Sequence, residues 1–405
     1  MVEDISEYQR IRALADQGDE SAQYSVGCSN WCDHAQAAEW FRRAAEKGHA
    51  KAQYAMGHAC YYGEGVPKDA VQAAGWYRKA ADQGDAQAAY CLGEMYFNGE
   101  GLPKDAKQAK AWYRKAANQG HAWAQRSLGD MYISGNGGPR NARLGRSWYG
   151  IAARQGDSES QYCLGDMYRN GEGVTKDVVQ AVTWYRMAAN QGHTKALCSL
   201  GEICSTGEGV PKDVVQAAEW YRMAADKHPV ASTKLGEMYF NGEGVQKDAH
   251  QALKWFRKWA ELRFPPAMAN MGRAYQLGQG VPRDPEQAVN WYRMAADQGH
   301  AEAQYSLGEM YFRGEGTPRD AVQAVEWFRK SADQGNASAQ SQLGAMYALG
   351  EGVSKDFVVA YMWRSLAAAQ GNEISKGAKD RLESFMTPVQ IAEAQKLSRE
   401  WKPKK

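Results

Sequence analysis

The sequence predicts an all-α protein: a right-handed α-solenoid of about ten 36-residue helix–turn–helix repeats, with capping helices at both ends. Three observations predict it. Ten tryptophans (Trp40, Trp76, Trp112, Trp148, Trp184, Trp220, Trp255, Trp291, Trp327 and Trp363) stand in one row, with eight gaps of 36 residues and one of 35. A column of glycines runs in phase from Gly27 through Gly93 to Gly344, each preceded by Val, Leu or Met. Four positions before that apolar residue stands Ala in nine repeats and Ser160 in the other. A period of this size marks stacked units, each burying its apolar stripe only against its neighbours.

The chain divides accordingly. Residues 1–18 read as a lone second-type helix, Ile5 to Gln17, closing in the usual Gln17-Gly18. Ten units follow over 19–371: 19–48, 49–84, 85–120, 121–156, 157–192, 193–227, 228–263, 264–299, 300–335 and 336–371. In the type unit, Ala86, Ala89, Leu92, Gly93 and Tyr96 fall on one side of a helical wheel. Glycine inside a helix costs roughly 1 kcal/mol against alanine, so its recurrence argues for a contact where a side chain would collide. Gly99-Glu100-Gly101 ends this helix, glycine tolerating the left-handed C-terminal backbone. Asp105 caps a second helix, which carries Ala109, Trp112, Tyr113 and Ala116 and closes at Gln119-Gly120. First helices are expected inside and second helices outside.

The first unit is short and has Cys28 to His34 in place of the G-x-G loop. The unit joints at 225–229 and 262–266 break the pattern, which fits either a bend in the array or drift in a tolerant linker. Beyond Gly371 the repeat fades into a cap over 372–405. There Thr387, Pro388 and Gln390 spell a capping box, and Lys402 to Lys405 are expected to fray.

The recurring string, as in Leu92-Gly93-Glu94-Met95-Tyr96, Gly99-Glu100-Gly101, Lys104-Asp105 and Trp112-Tyr113-Arg114, resembles the SLR (Sel-one-like repeat) family, a cousin of tetratricopeptide repeats. The resemblance covers about residues 19–371. It implies an α-solenoid and a scaffold or adaptor role, family members serving in bacterial envelope biology, virulence, secretion immunity and protein quality control. It assigns the motif residues to structure and supplies no cofactor.

Composition narrows the classes. A net charge of +2 over 405 residues gives no overall field for nucleic acid or membrane. No apolar run approaches the length of a spanning helix. The acidic start Met1-Val-Glu-Asp shows no signal peptide, so a cytoplasmic location is expected. Seven cysteines without a repeating spacing suit free thiols in a reducing compartment. The G-E-G loops lack the strand and Gly-Lys-Ser/Thr ending of a phosphate loop. Acids, His and Cys occupy repeated positions rather than a unique cleft, so no enzyme is expected.

Three columns could carry function. The residue after the column glycine is acidic in five successive units, Glu94, Asp130, Asp166, Glu202 and Glu237, and continues as Arg273 and Glu309. It should face the inner surface, with exposed Trp123 as an anchor, while Arg42, Arg78, Arg114 and their equivalents make the outside basic. Such a face would take a protein or peptide partner, including a basic one. The bland alternative is that these acids solvate a helix face or pair with neighbours. Cys28, Cys32 and His58, with His34 and Cys60 nearby, offer candidate zinc ligands, but at spacings that match no zinc signature. His49, His121, His193, His228 and His300 recur at first-helix starts, as pH-sensing groups or, more simply, exposed caps. The resulting reading is a non-enzymatic protein-interaction scaffold binding along its concave first-helix face. The alternatives are an immunity protein sequestering one toxin or effector, and a metal-binding module in the first two repeats. The column tryptophans are read as core.

Overall fold

A computed structural model of the chain describes residues 2–29 and 33–404. Among the described residues there are 23 helices and no strand. They form two compact bodies, called unit 1 (residues 1–196) and unit 2 (residues 197–405) to distinguish them from the repeats. Within each, consecutive helices pair as antiparallel hairpins and successive hairpins stack. No helix among the described residues is long and apolar enough to cross a membrane.

The hairpin Ala86–Asn98 with Ala106–Asn118 shows how the local sequence dictates the unit. Asp85 starts the first helix by accepting from the Ala88 N–H at 2.7 Å. Asp105 starts the second, accepting from Lys107 N at 2.8 Å and Gln108 N at 3.0 Å. Gly99, at φ 82°, ends the first. Gly101 does something the turn alone does not require. A Cβ there would stand 2.4 Å from the Ala70 carbonyl oxygen, so the second loop glycine lets each unit close onto the start of the preceding second helix.

The column glycine admits an aromatic ring. A Cβ on Gly93 would lie 2.6 Å from Cδ1 of Tyr113. The same notch recurs at Gly57 against Tyr77, Gly236 against Phe256 and Gly308 against Phe328. These rings are the fully packed members of the core: Tyr113 is 1% exposed and Phe256 0%. This corrects the reading of the tryptophan row as core. Trp40, Trp327 and Trp363 are buried, but the other seven are only half-buried. The notch takes the next side chain along, and the indole lies at the edge under a cation, as with Lys79 over Trp76 at 4.2 Å and Lys330 over Trp327 at 3.8 Å.

Buried glutamines join the units, a role the sequence reading did not assign. Gln125 donates to the Ala117 carbonyl at 3.1 Å and accepts from Gln155 at 2.7 Å. Gln161, Gln304 and Gln340 repeat the pattern. Each satisfies a carbonyl left over at the end of the preceding second helix. Ser232 and Met268 replace the glutamine in the units that follow the two irregular joints. At the second of these joints Arg263 stands where other units have glycine, at φ 61°.

The ends are tied down. Thr387 and Gln390 make the expected capping box. The tail does not fray as expected, at least to Lys404: its ammonium meets Asp333 at 2.7 Å, its N–H donates to the Asp333 carbonyl at 2.7 Å, and Trp401 packs edge-on against Trp363 at 6.2 Å. Lys405 lies outside the described residues.

Candidate functional site

The acidic column does two different things. In unit 1 each carboxylate accepts from the notch tyrosine of its own hairpin. Tyr113 donates to Glu94 at 2.5 Å, Tyr149 to Asp130 at 2.6 Å and Tyr185 to Asp166 at 2.6 Å. These acids therefore orient core phenols as well as facing solvent, and crowding around Asp130 strips enough water from it to raise its pKa. Burial also raises the pKa of all three phenols, keeping them protonated as donors.

In unit 2, Phe256 and Phe328 fill the notches beside Glu237 and Glu309, and these two acids find other partners. Glu237 accepts from Lys234 at 2.9 Å and Asn270 at 3.0 Å, and Glu309 from Arg313 at 2.6 Å and Gln342 at 2.8 Å. Glu202 is exposed, as is Arg273, whose guanidinium lies 4.9 Å from the Phe240 ring centre. Tyr292, facing an arginine unit instead of an acid, turns its hydroxyl to Gln276 at 2.8 Å.

The arginines assigned to a basic outer face are largely engaged. Arg114 donates to the Tyr132 hydroxyl at 2.7 Å and Arg222 to that of Tyr239 at 3.2 Å, while Arg78, Arg293 and Arg329 reach Tyr96, Tyr311 and Tyr347. They staple each second helix to the next first helix rather than presenting a free field.

Trp123 is 52% exposed and has company that sequence reasoning missed. It stands 6.1 Å from Tyr90 and 6.0 Å from His121, ring centre to ring centre. Together with Tyr54, His58, Tyr61, Tyr62, Tyr90 and Glu94 it lines a cavity of about 380 Å³. Tyr62, 59% exposed, stands at the rim. Met95, Cys91 and the packed Tyr77 close the floor. A smaller cavity of about 190 Å³ over Tyr113 is shared by Glu94 and Asp130. In unit 2 a cavity of about 500 Å³ is lined by Glu237, Asn270, Arg273, Tyr292, His300 and Glu302.

The two remaining columns are now placed. Cys28, His34 and His58 line one cavity of about 230 Å³, with Glu64. His58 pairs with Glu64 at 3.3 Å and packs on Tyr62 at 4.5 Å. Cys60 is buried apart from them in the core, 3% exposed, and Cys32 lies outside the described residues. Among the described residues no group of three or more His, Cys, Asp or Glu stands close enough to hold a metal ion. The five histidines at helix starts are half-buried rather than exposed, and four of them cap through the side chain. The Nδ1 atoms of His49, His121, His193 and His300 accept backbone N–H bonds at 3.1–3.2 Å. His121 stacks on Tyr90 at 4.7 Å, and its Nε2 meets Gln87 at 2.8 Å. His228 precedes Pro229 and makes no side-chain cap bond. Burial pushes the thiols of Cys91, Cys163 and Cys198 up to about 12, so they stay protonated packing groups.

Comparison with known proteins agrees with this architecture. The Sel1 repeat model matches residues 21–49, 50–85, 86–121, 124–157, 158–193, 194–228, 229–264, 265–300, 301–336 and 337–372. The chain is 32% identical to a protective antigen of uropathogenic Escherichia coli strains that displays an SLR fold; the match covers 97% of this chain and 94% of that one, at a TM-score of 0.68. A Sel1 repeat protein from Oxalobacter formigenes is 35% identical over 76% of this chain and 89% of its own, at a TM-score of 0.61. An immunity protein from Pseudomonas aeruginosa matches only 51% of this chain at 23% identity and a TM-score of 0.33, too slight a likeness to bear on function. No curated protein sequence matches the chain. Ten matched repeats, spaced as the tryptophan row is spaced and folded as hairpins, place this chain in the Sel1 repeat family.

Proposed function

We propose that this chain is a non-enzymatic interaction scaffold that binds a protein or peptide along the face made by its first helices. The groove of Tyr54, Tyr62, Tyr90, Trp123 and Glu94 is its principal contact in unit 1, and the acids Glu202, Glu237 and Glu309 extend the same kind of face within unit 2. One observation carries the reading. A repeat array has no structural use for an indole left 52% exposed beside a second open aromatic, Tyr62, over a carboxylate.

The chemistry of that groove selects a cation. Ring faces attract an ammonium or guanidinium by about 0.5–2 kcal/mol each, more as water leaves. Glu94 supplies the formal charge, and Tyr113 fixes its position. Buried aromatic anchors dominate interface energies. A basic side chain of a partner, laid against Trp123 and Tyr62 with its charge toward Glu94, uses all of these at once. The thiols, all free among the described residues, suit a reducing compartment such as the cytoplasm.

Affinity capture from the native host tests this reading, comparing the wild-type chain with a Trp123→Ala/Tyr62→Ser variant at low and high salt. A partner retained by the wild type, released by salt and lost in the variant is expected. A partner set identical for both chains would reject the groove. Reversing Asp130 and Asp166 is a poorer test, because those carboxylates also hold Tyr149 and Tyr185.

A further inference from the structure

The C-terminal end of unit 2 repeats the geometry of that groove with its charge inverted. Helix Glu373–Glu383 packs beside Ala337–Leu349, and counted from their caps these two helices correspond to Ala86–Asn98 and Ala50–Tyr62, which line the unit 1 groove. The ninth residue of Ala86–Asn98 is Glu94; the ninth of Glu373–Glu383 is Arg381. The place of His58 is taken by Ala345, and that of the notch tyrosine Tyr77 by Arg364. The aliphatic stem of Arg364 fills the notch, since a Cβ on Gly344 would lie 2.7 Å from its Cγ. Among the described residues its guanidinium reaches only hydroxyls, Ser341 at 2.8 Å and Ser375 at 3.3 Å.

Arg364, Arg381 and Lys355 line one cavity of about 440 Å³, and no carboxylate does. None of the three cations makes an ion pair among the described residues. The nearby Glu383 is held by the Tyr361 hydroxyl at 2.8 Å. Desolvation, with Arg381 close by, pulls the pKa of Arg364 down; an uncompensated cation in a half-buried place is costly and gains from any anion that enters. The walls are apolar: Phe357, Leu382, and two side chains left open, Leu349 at 72% and Phe385 at 67% exposure.

We propose that this pocket captures the C-terminal end of a peptide chain. The terminal carboxylate sits on Arg381 and Arg364, and the apolar side chain of the same residue lies among Leu349, Phe357 and Phe385. Charge and apolar wall belong to one small cavity. A chain end carries both groups on a single Cα, whereas inorganic phosphate would leave the open Leu349 and Phe385 uncovered. Guanidiniums bind carboxylates through paired, charge-assisted hydrogen bonds, and capture of a terminal carboxylate is a recognised mode of peptide binding. This site is independent of the unit 1 groove.

Calorimetric titration of the full chain with the peptide acetyl-Gly-Ser-Leu-Phe, as free acid and as C-terminal amide, tests it. The acid is expected to bind saturably and the amide roughly tenfold or more weakly, the loss of one charge-assisted pair. Arg381→Glu, at an exposed position, is expected to weaken the acid by roughly tenfold or more with an unchanged circular dichroism spectrum. Phe385→Ser should weaken both peptides, and Trp123→Ala neither. Equal binding of acid and amide overturns the proposal. So does full affinity in Arg381→Glu, or absence of saturation by about 1 mM ligand. Phosphate competing as well as the acid peptide would reject the chain end as occupant.

Discussion

Replacing a glycine inside a helix by alanine normally stabilises it by about 1 kcal/mol. Here two such replacements should move stability in opposite directions. Gly75 lies within helix Ala70–Asp82, and a Cβ there would meet nothing within 4 Å. Gly75→Ala should therefore raise stability by about 0.5–1 kcal/mol. Gly93 lies within Ala86–Asn98, where the Cβ would stand 2.6 Å from Tyr113. Aliphatic and ring carbons rest at about 3.5–4.0 Å, so the ring would have to retreat by roughly an ångström. It has no room, being 1% exposed, and it is tethered to Glu94 at 2.5 Å. Overpacking costs about 1–3 kcal/mol, and losing the phenol–carboxylate bond about 1 kcal/mol more. Against these stands the propensity gain of about 1 kcal/mol, leaving a net loss of about 1–3 kcal/mol. Urea midpoints by circular dichroism would rank the two variants against the wild type, with amide exchange in Ala86–Asn98 as a local probe. A long array need not unfold in two states, so the comparison rests on the sign of each shift. A Gly93→Ala protein as stable as Gly75→Ala, or more so, would refute the notch.

Three further outcomes are expected. Burial lowers the pKa of both His121 and His300, and both cap through a neutral Nδ1. Unfolded imidazoles titrate near about 6.5, so the cap strength is complete above that value and is lost as pH falls through the lower folded value. Thermal melts from about pH 7.5 to about pH 5.5 should show falling stability, with a shallower fall in His121→Asn, whose amide caps without titrating. Arg263→Gly should raise the melting temperature, relieving a left-handed backbone that costs a side chain about 1 kcal/mol; no change would mean the joint is not strained. Gln125→Ala should cost about 1–3 kcal/mol, because the Ala117 carbonyl and Gln155 lose a partner together. Denaturation midpoints of this variant and of Gln72→Ala, at an exposed helix position, would separate the joint from a propensity effect.

The parts of this fold legible in the sequence are those set by local chemistry repeated ten times. Hairpin boundaries follow from Asp caps and glycine stops, and each is decided within a few residues. The column glycine announced a collision, although the colliding group is a ring rather than a neighbouring backbone. What stayed hidden lies between elements. The bond from Tyr113 to Glu94 joins residues 19 apart, across a hairpin whose faces must be known first. The aromatic wall draws Tyr54, Tyr90 and Trp123 from three successive first helices, so no contiguous segment displays it. Lys404 meets Asp333 from 71 residues away, a docking that composition alone reads as a loose basic tail. Arg364 is a different case. It interrupts an otherwise aromatic column beside Trp363, and that break in the pattern could have been read directly.

The two grooves show where such an array can store specificity. The notch glycine, the small residues and the loop glycines touch backbone or core atoms, so altering them costs the fold. The residue after the notch glycine touches the core only through a hydroxyl, and only where the notch holds tyrosine. Once phenylalanine fills the notch, as at Phe256 and Phe328, the acid is released from that duty and bonds elsewhere. Where arginine fills it, as at Arg364, the position is Ala345, and the opposite charge comes from Arg381 on the next helix. The notch residue thus sets whether an acid beside it is tied to the core or bonds to neighbouring side chains, while Arg273 beside Tyr292 shows that the position also takes a base. The charge at this position can therefore change sign, as from Glu237 to Arg273, within the same repeated hairpin.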